Sequence, residues 1–220
     1  MKLYFLLLCS LTFTACAHHQ PLNVPVEAPI SDVISELKAG NSRFVHHQVI
    51  HPRQDQVRLT EQASGQAPGS VVVSCSDSRV PPEMVFDQGL GDIFSVRTAG
   101  QAMDTYAVAS IEYAIEHLGA KTIVVMGHSS CGAVKAAATT PEGKSTGSRN
   151  IDQLLHKIRP GLKKYDSKDQ EYIQAAKNNV ESTIEYLKFK SHLIHEELEH
   201  GKIKIVPALY HLPTGEVEFW

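Results

Sequence analysis

Positive charge is the first thing this sequence lacks: 21 Lys and Arg stand against 24 Asp and Glu, a formal net charge of −3. A nucleic-acid partner needs a cationic field to neutralise phosphates, so that class of partner is excluded. Long apolar runs are missing too. None reaches the roughly 18–20 residues that a helix needs to cross a bilayer. Cysteine is scarce, four in all, and Cys9 and Cys16 fall near the N-terminus. That leaves Cys75 and Cys131 for the body of the chain. No internal repeat and no shift of composition marks a second domain. What remains is a globular composition, 42 % hydrophobic and 20 % charged, which excludes disorder, collagen and coiled coil as the main state. At 220 residues it fits one ordinary domain with at most a small appendage.

The appendage is N-terminal. Lys2 supplies one positive charge, and Leu3 to Leu11 form an apolar run of signal-peptide length. Ala15-Cys16-Ala17 fits the small-residue cleavage pattern and would leave His18 as the mature N-terminus. Phe13-Thr14-Ala15-Cys16 also resembles a lipobox, with Phe where Leu is usual. On that reading Cys16 is retained and carries a lipid anchor. A buried N-terminal helix is the third alternative. Removing residues 1–17 removes only Lys2 among charged groups, taking the net charge from −3 to −4. Pro21, Pro25 and Pro29 make residues 18–30 an extended tether. The expected organisation is a signal peptide over 1–17, a tether over 18–30 and a folded domain over 31–220. Its expected location is outside the cytoplasm, periplasmic or anchored facing the periplasm.

The folded part alternates α and β. Ser31 or Asp32 can cap a helix with Val33, Ile34, Leu37 and Phe44 on its apolar face. Arg53 to Ala63 reads as a second helix. Ser70 to Cys75 is a β-branched run of the kind buried in parallel sheets, and Ile93 to Arg97 is a second short strand. Asp104 caps a helix through Leu118, stopped by Gly119. Thr122 to Met126 is the next buried strand, and Gly127 leads to a helix beginning near Cys131. Residues 140–149 are a loop. Asp152 to Ile158 and Lys168 to His200 read as helices, and Lys202 to Leu209 and Glu216 to Trp220 as strands. The pattern predicts an α/β fold: a mostly parallel β-sheet flanked by helices, with an antiparallel C-terminal edge strand.

Two polar loops follow buried strands, where ligands of an open α/β sheet bind. They are Cys75-Ser76-Asp77-Ser78-Arg79 and His128-Ser129-Ser130-Cys131-Gly132. Two thiols and an imidazole suit zinc, and a helix N-terminus at Cys131 favours its thiolate. A structural zinc site is normally closed by four Cys or His ligands, and no third cysteine remains in the mature chain. Three protein ligands with an open position describe a catalytic zinc, whose water has a pKa of about 7. Asp77 is the other candidate for the fourth position. Arg79 beside it would hold the carboxylate ionised and oriented. Other readings remain: a Cys75–Cys131 disulfide, two inert buried thiols, or a nucleophile elbow at Gly127-His128-Ser129-Ser130. The elbow has Cys131 where Gly is required, and its partners would be residues such as Asp166 and His192.

The paired motifs Cys75-Ser-Asp-Ser-Arg79 and His128-Ser-Ser-Cys131-Gly132 resemble the β-class carbonic anhydrases. Gly40-Asn41-Ser42-Arg43-Phe44, Val85-Phe86-Asp87-Gln88-Gly89, Val96-Arg97-Thr98-Ala99-Gly100 and Ser110-Ile-Glu-Tyr-Ala114 extend the resemblance across about residues 32–219. It implies Cys75, His128 and Cys131 as ligands of one Zn2+ per subunit and Asp77–Arg79 as the catalytic dyad. It further implies Gln66, Phe94, Tyr113 and Gly132 around substrate, the last through its backbone N–H. The implied reaction is reversible hydration of CO2 to bicarbonate by zinc-bound hydroxide, in a homodimer or homotetramer with sites at subunit interfaces. A carbonyl sulfide or carbon disulfide hydrolase and a non-catalytic zinc-binding domain are the alternatives on the same scaffold. Two residues depart from the family pattern. Val72 replaces a Trp of the bicarbonate-binding allosteric pocket, which favours the open site, and Gln101 replaces an Asn after the Ala-Gly pair.

Overall fold

The computed structural model describes residues 30–162, 169 and 172–220. Five strands form one sheet in the order β2-β1-β3-β4-β5. They are β1 (Ser70–Cys75), β2 (Ile93–Thr98), β3 (Thr122–His128), β4 (Lys204–Tyr210) and β5 (Val217–Phe219). The first four are parallel, and β5 runs antiparallel to β4. The α/β expectation holds, edge strand included.

The β-branched runs are apolar throughout because helices cover both faces of the sheet. Val72 of β1 and Val124 and Met126 of β3 face one layer. It is built from α1 (Ile30–Val45), α3 (Pro82–Val85), α5 (Gly132–Thr139) and α6 (Arg149–Ile158), through Leu37, Val85, Val134, Leu155 and Ile158. Val71 and Val73 of β1 and Ile123 and Val125 of β3 face the other layer. There α4 (Thr105–Glu116), α7 (Ile173–Lys190) and α8 (His192–Glu199) contribute Ile111, Ala114, Val180, Leu187 and Ile194. The short α2 (Gln56–Gln62) lies before β1 and buries no residue. Among the described residues no helix is long and apolar enough to cross a membrane.

The chain leaves β1 toward one edge of the sheet, to β2, and then crosses back over it to β3. This reversal opens a crevice between the carboxyl ends of β1 and β3. Cys75 ends β1 and His128 ends β3. Topology alone therefore sets a thiol beside an imidazole.

Some boundaries differ from expectation. The first helix already includes Ile30, so Ser31 and Asp32 lie within its bounds. The second helix is shorter than Arg53 to Ala63 because Asp55 caps it, accepting Arg58 N–H at 2.8 Å. Lys168 to His200 is not one helix. Ser191 has extended backbone, and its Oγ accepts Ile194 N–H at 3.0 Å, starting α8 afresh. Arg149 precedes the expected start at Asp152 because Ser148 caps that helix. α3 and the 3-10 turns Ala99–Gln101 and Arg159–Leu162 had no sequence signal. The signal peptide, Cys16 and most of the tether, with Asp166 and Lys168, lie outside the described residues.

Candidate metal centre

Cys75 Sγ, a ring nitrogen of His128 and Cys131 Sγ all lie within 4.8 Å of one another, and all three residues are buried. Both thiols are free, so the disulfide reading fails. His128 Nδ1 lies 2.9 Å from the Ser129 carbonyl oxygen. A carbonyl only accepts, so Nδ1 carries the proton and Nε2 presents its lone pair. That Nε2 is buried and has no hydrogen-bond partner. An orphaned imidazole lone pair beside two sulfurs is what a divalent cation would satisfy, and two sulfurs with one nitrogen suit zinc.

The backbone supports the sulfurs. Cys75 Sγ accepts Gly100 N–H at 3.2 Å and Asp77 N–H at 3.4 Å. Cys131 is the N-cap of α5, and the N–H groups of Val134 and Ala133 in the first turn of that helix favour its thiolate. The hydrogen bond between the two sulfurs draws the Cys75 thiol well below its ordinary pKa, against the opposing effect of burial. The same bond, with burial, pushes Cys131 up.

Asp77 stands beside this cluster, with Oδ2 4.0 Å from His128 Nε2. Arg79 takes both its oxygens: Nε donates to Oδ1 at 2.9 Å and Nη2 to Oδ2 at 2.7 Å. The backbone N–H of Arg79 adds a bond to Oδ1 at 3.0 Å. The guanidinium is the main reason the Asp77 carboxyl is held well below the usual carboxylate range, although partial burial opposes it. Arg97, which sequence reasoning gave no role, grips the loop from below. It donates to the Cys75 carbonyl at 3.1 Å and to the Asp77 carbonyl at 2.7 Å.

The structure thus gathers Cys75, His128, Cys131, Asp77 and Arg79, with Gly132 exposed at the start of α5 directly after Cys131. Within one chain Gln66, Phe94 and Tyr113 lie away from this cluster. Phe94 pairs in register with Val71, four steps from the Cys75–Thr98 pair, or about 13 Å along the strands. Gln66 is exposed in a hollow with Leu59, Gln62, Leu90 and Gly91, before the strands begin. Tyr113 sits well down α4, half exposed, with its ring 5.0 Å from that of His117. All three lie toward the amino ends of the strands, away from the sulfurs.

The nucleophile elbow has no support among the described residues. Ser129 is fully buried with its Oγ accepting Leu212 N–H at 3.0 Å, and His192 is an exposed partner of Glu196.

The family model described as carbonic anhydrase matches residues 70–217. A carbonic anhydrase of Mycolicibacterium smegmatis is 39 % identical over 190 residues, covering 83 % of this chain and 89 % of that protein. The solved structure of the β-carbonic anhydrase CcaA superposes with a TM-score of 0.68 at 25 % identity, covering 86 % of this chain and 88 % of that one. A tetrameric β-carbonic anhydrase from Sordaria macrospora gives 0.64 at 25 % identity, covering 86 % and 94 %.

Proposed function

The chain belongs to the β-class carbonic anhydrases, and from that premise we propose how its residues carry out zinc-dependent, reversible hydration of CO2 to bicarbonate and a proton. One observation carries the proposal: the unpartnered Nε2 of His128, buried among two free thiols beside an Arg-clamped carboxylate. Cys75, His128 and Cys131 would hold the zinc. Zinc bound there supplies a Lewis acid strong enough to bring the pKa of water down to about 7.

The protein side supplies orientation. Asp77, kept ionised by Arg79, accepts a hydrogen bond from the attacking water and so aims its lone pair at the substrate carbon. Both carboxylate oxygens of Asp77 are engaged by Arg79, which would keep Asp77 from ligating a bound zinc and leave room for water. If Arg79 released it, the freed carboxylate could itself ligate the zinc and close the site. The Gly132 N–H, at the amino end of α5, is placed to donate to a substrate oxygen, where the helix dipole also favours developing negative charge.

Gln66, Phe94 and Tyr113 enter from a second subunit. Among the described residues β2 is an edge strand with no neighbouring strand on its outer side, and Phe94 lies on it. Pairing of two copies along this side brings apolar walls and the Gln66 amide toward the partner's sulfurs, in a homodimer or a homotetramer. The Leu3–Leu11 run and Ala15-Cys16-Ala17 support export, with Cys16 the point of lipid attachment if it is retained.

The reaction is tested by stopped-flow CO2 hydration with the zinc-loaded chain and the same chain after chelation. Rapid hydration that chelation abolishes is expected. A chain that holds zinc and turns over carbonyl sulfide but not CO2 would overturn the assignment.

A further inference from the structure

Gly100 connects the metal centre to a residue far away in the chain. Its N–H donates to Cys75 Sγ at 3.2 Å, and its carbonyl oxygen accepts the Nδ2–H of Asn179 at 2.8 Å. Asn179 comes from the middle of α7, is 3 % exposed, and lies 79 positions from Gly100 in sequence. We propose that Asn179 is a positioning residue for the metal centre, holding Gly100 so that its N–H stays on the Cys75 sulfur. The inference rests on the zinc reading above.

The turn at Gly100 cannot hold this pose by itself. Gly100 has φ +62°, and glycine populates both signs of φ about equally, so nothing intrinsic fixes the direction of its N–H. The next residue, Gln101, is also left-handed, and its buried side-chain amide has no partner at either atom. Thr98 Oγ1 ties the ends of the turn by donating to the Ala102 carbonyl at 2.6 Å but leaves Gly100 untouched. Asn179 is itself well held. A Cβ at Gly161 would lie 2.8 Å from the Asn179 Cα, so the Arg159–Leu162 turn presses directly on α7 there. Thr183 Oγ1 donates to the Asn179 carbonyl at 2.8 Å. A rigid helix thus hands its position through one side chain and one glycine to a zinc ligand. Each N–H on a thiolate spreads its charge and orients its lone pairs, and losing such outer partners costs about 10–100-fold in metal affinity.

The test uses the full chain with Asn179→Ala and Asn179→Leu, neither of which can donate to Gly100. Thr183→Val is the control, because it removes a buried bond from the same helix turn without touching Gly100. Zinc affinity is read by competition with a chelator, and the thiolate-to-metal charge-transfer band is read on the cobalt-substituted protein. Both Asn179 variants should lose ~10-fold or more in zinc affinity and shift the band, while Thr183→Val melts lower and changes neither. Asn179 variants that melt lower with affinity and band unchanged would show a packing role only and overturn the proposal. Should they not fold, wild type loaded with NMR-active cadmium decides. Scalar coupling between the metal and the Gly100 amide is expected, and its absence with cadmium bound overturns the proposal. A wild-type chain that binds neither zinc nor cadmium removes the zinc reading itself, and this inference falls with it.

Discussion

Arg79 holds Asp77 with three hydrogen bonds, two from its guanidinium and one from its own backbone N–H, although the Arg79 side chain is largely exposed. Two residues of separation make the clamp local, so it forms with the loop and needs no distant support. The carboxylate so held stands 4.0 Å from the metal-facing nitrogen of His128.

The clamp should matter for geometry more than for ionisation. Asp77 lies well below the usual carboxylate range, chiefly because of Arg79. Releasing it in Arg79→Gln lets the pKa climb, but only toward an ordinary carboxylate value of about 3.9. Asp77 would then still be ionised at and above neutral pH. The expected result is a loss of about 100-fold in kcat/KM that is uniform from about pH 6 to 9. A pH–rate comparison of the two proteins checks it, and a loss that disappears at the alkaline end would contradict it.

Asp87 is the second carboxylate under strong constraint. Burial would raise its pKa, but Arg43 Nε at 2.6 Å and the N–H groups of Ile50 and His51, both at 3.1 Å, outweigh it and lower the pKa. Removing one member of such a buried pair strands the other, so Asp87→Asn should cost about 3–5 kcal/mol in urea unfolding. The sign with pH follows from the lowered value. The stabilisation is complete above the unfolded pKa of about 3.9 and is lost as pH falls through the folded value below it. The gap in melting temperature between wild type and Asp87→Asn should therefore close only in strong acid.

Helix propensity and close packing disagree at Gly40. Ala is favoured over Gly inside a helix by about 1 kcal/mol. In α1, however, a Cβ at Gly40 would lie 1.7 Å from the Phe86 carbonyl oxygen, a backbone atom. The clash is larger than the propensity gain, so Gly40→Ala should destabilise by about 1–3 kcal/mol. A stabilised Gly40→Ala would show that α1 and α3 do not approach this closely.

Metal removal should silence the enzyme without unfolding it. The sheet is held by two apolar layers that include Val71, Val73, Ile123 and Val125 on one side and Val72, Val124 and Met126 on the other. Circular dichroism of the chelated chain should keep its α/β signature, while its melting temperature falls and recovers with added zinc.

The fold was legible because both faces of the sheet are covered. Buried parallel strands such as Ser70–Cys75 announce themselves as unbroken β-branched runs, and the carboxyl ends of two of them, with the loop before α5, carry the metal-binding side chains. Ser191 was not legible as a break, since no Gly or Pro marks it and its capping bond is visible only in three dimensions. The contributions of Arg97, Gly100 and Asn179 were hidden for a related reason: each contact joins positions at least 20 apart. Gln66, Phe94 and Tyr113 came from family resemblance, which names residues without saying which subunit they serve. The register of β2 on β1 puts Phe94 beside Val71 and so far from its own Cys75.

The most direct test of the account measures zinc content and stopped-flow CO2 hydration in parallel for wild type, Cys75→Ser and Asp77→Asn. Wild type should hold one zinc per chain and turn over rapidly. Cys75→Ser should lose zinc and rate together, and Asp77→Asn should keep its zinc and lose its rate. An Asp77→Asn protein as fast as wild type, or a Cys75→Ser protein that keeps zinc at wild-type affinity, would contradict the division of roles between ligands and carboxylate.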